Sequence, residues 1–131
     1  MAKNQVYPFT KSASLPVPVG TKSGDAVEVG SIVGVALTDR QAALAANVTN
    51  TSNPVGNASV ALDGTWSLPC TDAVAAVGTP LYITGAGPFT VTTTVGTNAL
   101  LGYSADVIKD GVAAGGTKGA GAGSINVRLV G

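Results

Sequence analysis

Ile32-Val33-Gly34-Val35-Ala36-Leu37 and Leu100-Leu101-Gly102-Tyr103-Ser104-Ala105 carry the same pattern: two bulky apolar residues, a glycine, then one larger and one small residue. The offset between them is 68 residues (102 minus 34). The first run has no polar interruption and is too short for a stable helix, so it reads as a strand buried on both faces or bent at Gly34. The echo reads as two strands bent alike around a small barrel, not as a repeat array.

The neighbouring segments have the same character. Lys22-Ser23-Gly24-Asp25 is a turn cluster, and Ala26-Val27-Glu28-Val29 after it is a short strand closed by Gly30-Ser31. Ala58-Ser59-Val60-Ala61-Leu62 alternates, and Asp63-Gly64 is a strong hairpin signal. The return strand is Thr65-Trp66-Ser67-Leu68-Pro69, which predicts Val60, Leu62, Trp66 and Leu68 on one apolar face, with Trp66 and Leu68 in the core. Pro80 to Thr84 and Phe89 to Val95 read as a second hairpin around Gly85-Ala86-Gly87-Pro88. Ile125-Asn126-Val127-Arg128-Leu129-Val130 alternates cleanly, with Ile125, Val127 and Leu129 inward. Asp39 to Ala46 is the best helix candidate, capped by Asp39 and ended by Asn47, and Ala73 to Val77 fits a single turn. Gly111 to Ser124 reads as a flexible glycine-alanine loop with one charge, Lys118.

Composition agrees with this pattern. Of 131 residues, 20 are alanine, 18 valine, 18 glycine and 15 threonine, a palette of short strands and tight turns. Seven basic residues balance seven acidic ones, and only 11% of residues are charged, against roughly 25% in soluble domains. No basic excess exists to displace counterions from a nucleic acid, so nucleic-acid binding is not expected. There is no histidine and a single cysteine, which argues against an ordinary zinc, copper or haem site and against an internal disulfide; no cofactor is expected. The apolar runs are too short to span a bilayer, and Met1 to Gln5 lacks a signal-peptide pattern, so the expectation is a soluble protein made in a cytoplasm. So little charge in a soluble chain favours a surface covered by other protein.

Residues 1–19 read as an extended arm, followed by one β-rich domain over residues 20–131. Pro8, Pro16 and Pro18 exclude an ordinary central strand, yet Val6, Tyr7, Phe9, Leu15, Val17 and Val19 are too apolar to be left in water. Either the arm folds back on its own domain as an edge strand, or it lies on a partner.

Catalytic constellations are missing. Gly115-Gly116-Thr117-Lys118-Gly119 reverses the order of lysine and hydroxyl residue that a phosphate-binding loop needs. Cys70 and the serines have no histidine to activate them, and Lys22-Ser23 is an ordinary turn pair. Asp25 with Glu28, or Asp106 with Asp110, are carboxylate pairs of the kind any domain supplies. Trp66, Tyr82 and Tyr103 read as core aromatics before they read as a sugar-stacking platform. The acceptor-like triplets at Asn47, Asn50 and Asn57 mark a polar loop. An enzyme is not expected.

Ser23 to Gly30, then Ile32 to Ala36, Gly64-Thr65-Trp66-Ser67-Leu68-Pro69, Gly78-Thr79-Pro80-Leu81-Tyr82, Leu100-Leu101-Gly102 and Asn126-Val127-Arg128-Leu129 stand in an order that resembles a family of small tailed-phage head proteins. Its members, long grouped as a domain of unknown function, are capsid decoration (cement) or head fibre proteins. The resemblance spans about residues 20–131; the Asn47–Asn57 loop and the glycine loop depart from it. It implies a structural virion protein, made in the host cytoplasm, that binds the outer surface of a phage capsid and reinforces it. The partner would be the major capsid protein, contacted by the arm through Val6, Tyr7, Phe9, Leu15, Val17 and Val19. Together with the low charge it implies a homotrimer at threefold and quasi-threefold positions. The alternative is a virion-displayed binding module, a head fibre or adhesin contacting host surface or carbohydrate. The fold expected from the residues and the resemblance together is mainly β: a small, partly open barrel or sandwich of short antiparallel strands with at most one or two short helices.

Overall fold

The computed structural model describes residues 11–46, 53–85 and 89–130. Eleven strands lie among them: β1 (Ser12–Pro16), β2 (Ala26–Val29), β3 (Ile32–Ala36), β4 (Asn57–Ala61), β5 (Thr65–Pro69), β6 (Pro80–Thr84), β7 (Thr90–Thr92), β8 (Ala99–Ser104), β9 (Val107–Lys109), β10 (Val112–Ala114) and β11 (Ser124–Leu129). They form a four-stranded sheet in the order β1-β4-β3-β2, a five-stranded sheet in the order β5-β11-β8-β6-β7, and a two-stranded ribbon, β9-β10. Every ladder is antiparallel. The architecture is sandwich-like and not a closed barrel. Among the described residues, the edges of the five-stranded sheet are bridged at one isolated parallel pair, Cys70 with Val91.

The larger core lies between the sheets. Val33 and Val35 from β3 join Leu68, Val74, Leu81, Ile83, Val91, Leu101, Ile125, Val127 and Leu129 in one buried cluster. The other face of β3 contributes Ala36 to a second cluster with Val17, Val27, Ala58 and Val60. The uninterrupted apolar run of β3 follows from this, since both of its faces are buried. Complete burial of each Val, Leu or Ile side chain contributes roughly 1.5–3 kcal/mol.

The two echoing glycines occupy matching places. A Cβ on Gly34 would overlap the Ala61 carbonyl oxygen and crowd Val60 Cγ1. A Cβ on Gly102 would overlap the Arg128 carbonyl oxygen and crowd Val127 Cγ1. In each sheet a strand runs so close to its neighbour that no side chain fits between them. In β8 a register shift opposite Leu81 and Tyr82 accompanies the glycine, and Leu101 is fully buried there.

Several expectations give way. No helix is present among the described residues. From 39 to 46 the chain is irregular because its amides find distant partners: Arg40 N–H donates to the Thr21 carbonyl (3.1 Å) and Gln41 N–H to the Asn57 carbonyl (2.8 Å). Asp39 accepts from Ser23 N–H (2.8 Å) instead of capping its own segment. A two-turn helix would have nucleated poorly against such competition; residues 47–52 lie outside the described residues. Ala73 to Val77 is not helical either, since Val74 is buried and exchanges two backbone bonds with Lys118 (both 2.9 Å).

Asp63-Gly64 does not close a hairpin. Both edges of β4 are already taken, by β1 and β3, so the chain crosses to the other sheet and β5 pairs with β11. Val60 and Leu62 therefore pack in the smaller cluster, and Leu68 and Trp66 in the larger. Trp66 is half-buried at the end of the core, its ring N–H donating to the Asp63 carbonyl (2.8 Å). The β6–β7 hairpin forms as expected, although its second strand is only Thr90–Thr92 and residues 86–88 are outside the described residues.

The 1–19 segment divides. Ser12–Pro16 pairs along the whole of β4 as an edge strand of the domain, with Pro16 at its end where a missing N–H costs no ladder bond. Leu15 and Val17 pack in the smaller cluster. The edge-strand alternative therefore holds for this part, while Val6, Tyr7 and Phe9 fall outside the described residues.

Two outcomes follow. Gly34→Ala and Gly102→Ala should each cost about 1–3 kcal/mol in urea unfolding, the range for overpacking. Gly119→Ala, where a Cβ meets open space, should stay within about 0.5 kcal/mol of the parent. Deleting residues 2–19 removes β1 together with Leu15 and Val17, about 1.5–3 kcal/mol for each side chain, and should markedly lower Tm.

Candidate functional site

Two adjoining hollows lie between the sheet ends, separated by Pro69 and Phe89, which line both. The smaller, about 280 Å³, is walled by Pro18, Val19, Thr21, Asp25 and Ala26. The larger, about 370 Å³, is walled by Cys70, Asp72, Thr84, Thr90, Val91 and Thr92. Phe89 packs against both core clusters, which fixes the partition between the hollows.

Asp72 is the most elaborately held acid. Its Oδ2 accepts from the Thr92 hydroxyl (2.6 Å), the Thr93 N–H (3.0 Å) and the Thr93 hydroxyl (3.3 Å). Those donors, led by the Thr92 hydroxyl, hold its carboxyl below the ordinary value of 3.8, with a smaller contribution from the Lys118 charge. Lys118 in turn donates through Nζ to the carbonyls of Asp72 (3.2 Å), Gly119 (2.6 Å) and Gly121 (2.9 Å). This network pins the segment after β5 to β7 on one side and to the glycine-rich loop on the other. Further bonds run from Gly121 N–H to the Thr71 carbonyl and from Cys70 N–H to the Gly123 carbonyl (both 2.9 Å). The expectation of a flexible loop fails for this reason: residues 115–123 are exposed for most of their length but tied to the segment after β5. With three carbonyls around its ammonium group, Lys118 is committed to this staple and not turned toward a phosphate.

Several of the other chemical candidates are also structurally committed. Lys22 Nζ reaches Asp39 (3.8 Å) while the Ser23 hydroxyl donates to the Leu37 carbonyl (3.0 Å), so the two do not form a nucleophile–base pair. Asp25 accepts from Lys22 N–H (2.9 Å) within its own turn, and Asp106 accepts from Gly116 N–H (2.8 Å). Cys70 is buried as a small apolar residue. Among the described residues, no group of three or more Asp, Glu or Cys is placed to hold a metal ion. The three aromatics do not share a platform. Trp66 pairs with Val127 and so shares the core face, whereas Tyr103, opposite Arg128 and Pro80, lies with Tyr82 on the outer face of the five-stranded sheet, so neither tyrosine is the core aromatic expected.

What stands out on the surface is apolar. Val19, assigned to the arm from sequence, is 84% exposed beside the smaller hollow, while Leu15 and Val17 are spent on the domain's own core. The β9–β10 ribbon, whose first strand has no assignment in the sequence reading and whose second falls in the expected glycine-alanine loop, exposes Val107, Ile108 (74%) and Val112 (64%). Asp110 and Gly111 both have positive φ, 53° and 79°, the signature of a two-residue type I′ hairpin turn. The Asp110-Gly111 dipeptide was the available sequence signal for it.

Comparison with family models, curated proteins and solved structures returns no match.

Asp72 makes a pH prediction. Its folded value lies below the unfolded one, so its contribution to stability is fully present above pH 3.8 and is lost as pH falls through the lower folded value. Urea midpoints measured from pH 7 to pH 2 should therefore fall more steeply in the acid range for the parent than for Asp72→Asn, which should also be less stable at pH 7.

Proposed function

We propose that this protein is a structural component of a phage head that binds the outer surface of the capsid and reinforces it. The observation that carries the reading is the surface. Charge is only 11% and balances to zero, and Val19, Ile108 and Val112 stand out in water on an otherwise well-packed domain. Val107, Ile108 and Val112 are gathered on the one β9–β10 ribbon, and clustered exposed apolar side chains support a protein contact there. The order of motifs that resembles the decoration and head fibre family supports the shell as the partner. Lys118, Asp72, Ser23 and Asp106 each spend polar groups on hydrogen bonds that hold the fold, which supports a structural reading of these four.

In this reading the chain ahead of Lys11, carrying Val6, Tyr7 and Phe9, continues from the edge strand β1 onto the major capsid protein, and Val19 adds to that contact. Ten extended residues reach at most about 33–36 Å, enough to touch a neighbouring subunit. Burial of each large side chain would contribute roughly 1.5–3 kcal/mol before ordering costs. The assembly is a homotrimer at threefold and quasi-threefold positions, where three linked contacts gain avidity.

Purified particles carrying the protein provide the test. Copy numbers close to stoichiometric with the shell protein are expected, and the chain lacking residues 2–10 should remain folded but fail to sediment with capsids. A few copies per particle would instead make it a fibre or adhesin. Undiminished sedimentation of the truncated chain would remove the arm from the contact.

A further inference from the structure

We propose that the larger hollow, between β7 and the segment that follows β5, is a binding site for a neutral sugar ring. This goes beyond the capsid contact and does not depend on it.

Size separates the two hollows first. Sites for small molecules occupy roughly 300–1,000 Å³ and are mostly apolar with a few converging polar groups. The larger hollow, about 370 Å³, lies at the low end of that range and suits a molecule of one ring; the smaller, about 280 Å³, falls below it. The larger one runs from a buried floor, Cys70 and Val91, to the exposed Thr71 and Thr90.

Its polar groups are only partly engaged by the fold. Among the described residues, the hydroxyls of Thr71, Thr84 and Thr90 have no hydrogen-bond partner. Thr84 and Thr90 stand directly opposite each other in the β6–β7 ladder, so their side chains share one face. Asp72 Oδ2 takes the three donors from Thr92 and Thr93, whereas Oδ1 accepts from no described residue. Those donors fix the carboxylate, and the bonds of Cys70 and Thr71 to Gly123 and Gly121 fix the loop beside it. The site is therefore organised before a ligand arrives, which lowers the cost of binding.

Charge then selects the ligand. Asp72 is the one charged residue among those lining the hollow, and the Lys118 charge lies near enough to act on it. An anion would meet the carboxylate. A cation would gain little, because the Lys118 ammonium already offsets that charge. A wholly apolar molecule would leave Oδ1 and three hydroxyls without partners as water is excluded. What fits is a neutral molecule with several hydroxyl groups. Ionised Asp72 only accepts, so the ligand must donate there, while the threonine hydroxyls both donate and accept. Pro69 and Phe89 line the same hollow and supply an apolar surface. The C–H face of a pyranose suits it, since an aromatic ring is negative on its face. A sugar ring carries both surfaces, hydroxyls around its edge and C–H groups on its face.

Amide NMR on the isotope-labelled full chain tests this, with the methyl glycosides of glucose, galactose, mannose and N-acetylglucosamine as probes. At least one should shift the amides of Thr71, Thr84 and Thr90 saturably, with a Kd on the order of 1 mM, as expected of a one-ring ligand. Thr84→Val combined with Thr90→Val removes two hydroxyls that no bond of the fold uses. The double variant should keep the parent's Tm and bind about tenfold more weakly. Methylammonium and cyclohexanol, titrated in the same way, represent a cation site and a purely apolar one. Absence of a saturable shift at those amides with every glycoside overturns the proposal. So does tighter binding of methylammonium or cyclohexanol than of any glycoside, or a folded double variant that binds as the parent does. The parent titrations decide the matter even if the double variant misfolds. No capsid enters these measurements, so the sugar site and the decoration reading fail separately.

Discussion

Two carbonyl groups, those of Ala61 and Arg128, stand where side chains would be if residues 34 and 102 were anything but glycine. That close approach sets the spacing of β3 against β4 and of β8 against β11, and with it the shape of both sheets. The matching valines, Val60 and Val127, then fill the space beside each glycine from the neighbouring strand. Because β3 and β8 belong to different sheets, one device is used twice, once on each side of the main core. The bulge in β8 turns Leu101 fully inward, so the glycine and the largest local gain in burial are coupled.

The double burial of β3 has a second effect. A strand with one wet face tolerates polar substitution on alternate positions; β3 has no such face beyond Ile32. Val33 and Val35 serve the inter-sheet core while Ala36 serves the cluster that Val17, Val27, Ala58 and Val60 complete. Phe89 touches both clusters, and the two surface hollows are what remains on either side of it. The hollows are thus a by-product of how two cores meet, and the Asp72–Lys118 staple keeps the wall of the larger one in place.

Most strands were legible in the sequence because their period is local. Ala26–Val29, Pro80–Thr84 and the alternation of Ile125, Val127 and Leu129 need only the pleat to explain them. What was not legible was pairing. Asp63-Gly64 has the composition of a hairpin turn, yet pairing is decided by which edges are vacant, and β4 had none. Arg40 and Gln41 sit in a helix-forming stretch, yet their amides are claimed by Thr21 and Asn57, contacts no local window contains. Ser12–Pro16 was read as arm for a similar reason: prolines at 16 and 18 announce an edge, but only the register with Asn57–Ala61 shows whose edge it is. At the surface the difference is one of scale. A ribbon of two three-residue strands is too short for periodicity to register, and Asp110-Gly111 was hidden beside a long glycine-alanine stretch. Lys118 looked like the lone charge of a mobile loop because a cage of three carbonyls leaves no mark in sequence.

The position of β11 shapes how the chain reaches this state. It is the last strand in sequence yet lies between β5 and β8, bonded to both. Until Ser124–Leu129 has left the ribosome, β5 has no antiparallel partner and the centre of the five-stranded sheet is missing. Ile125, Val127 and Leu129 are absent from the core for as long. The four-stranded sheet, whose strands end at Ala61, is synthesised whole well before that, but the face carrying Val33 and Val35 must wait for its cover. Pairings across such sequence distances close slowly. The domain is therefore assembled only once residues 124–129 are available, and a chain interrupted before residue 124 displays unpaired strand edges to whatever surrounds it.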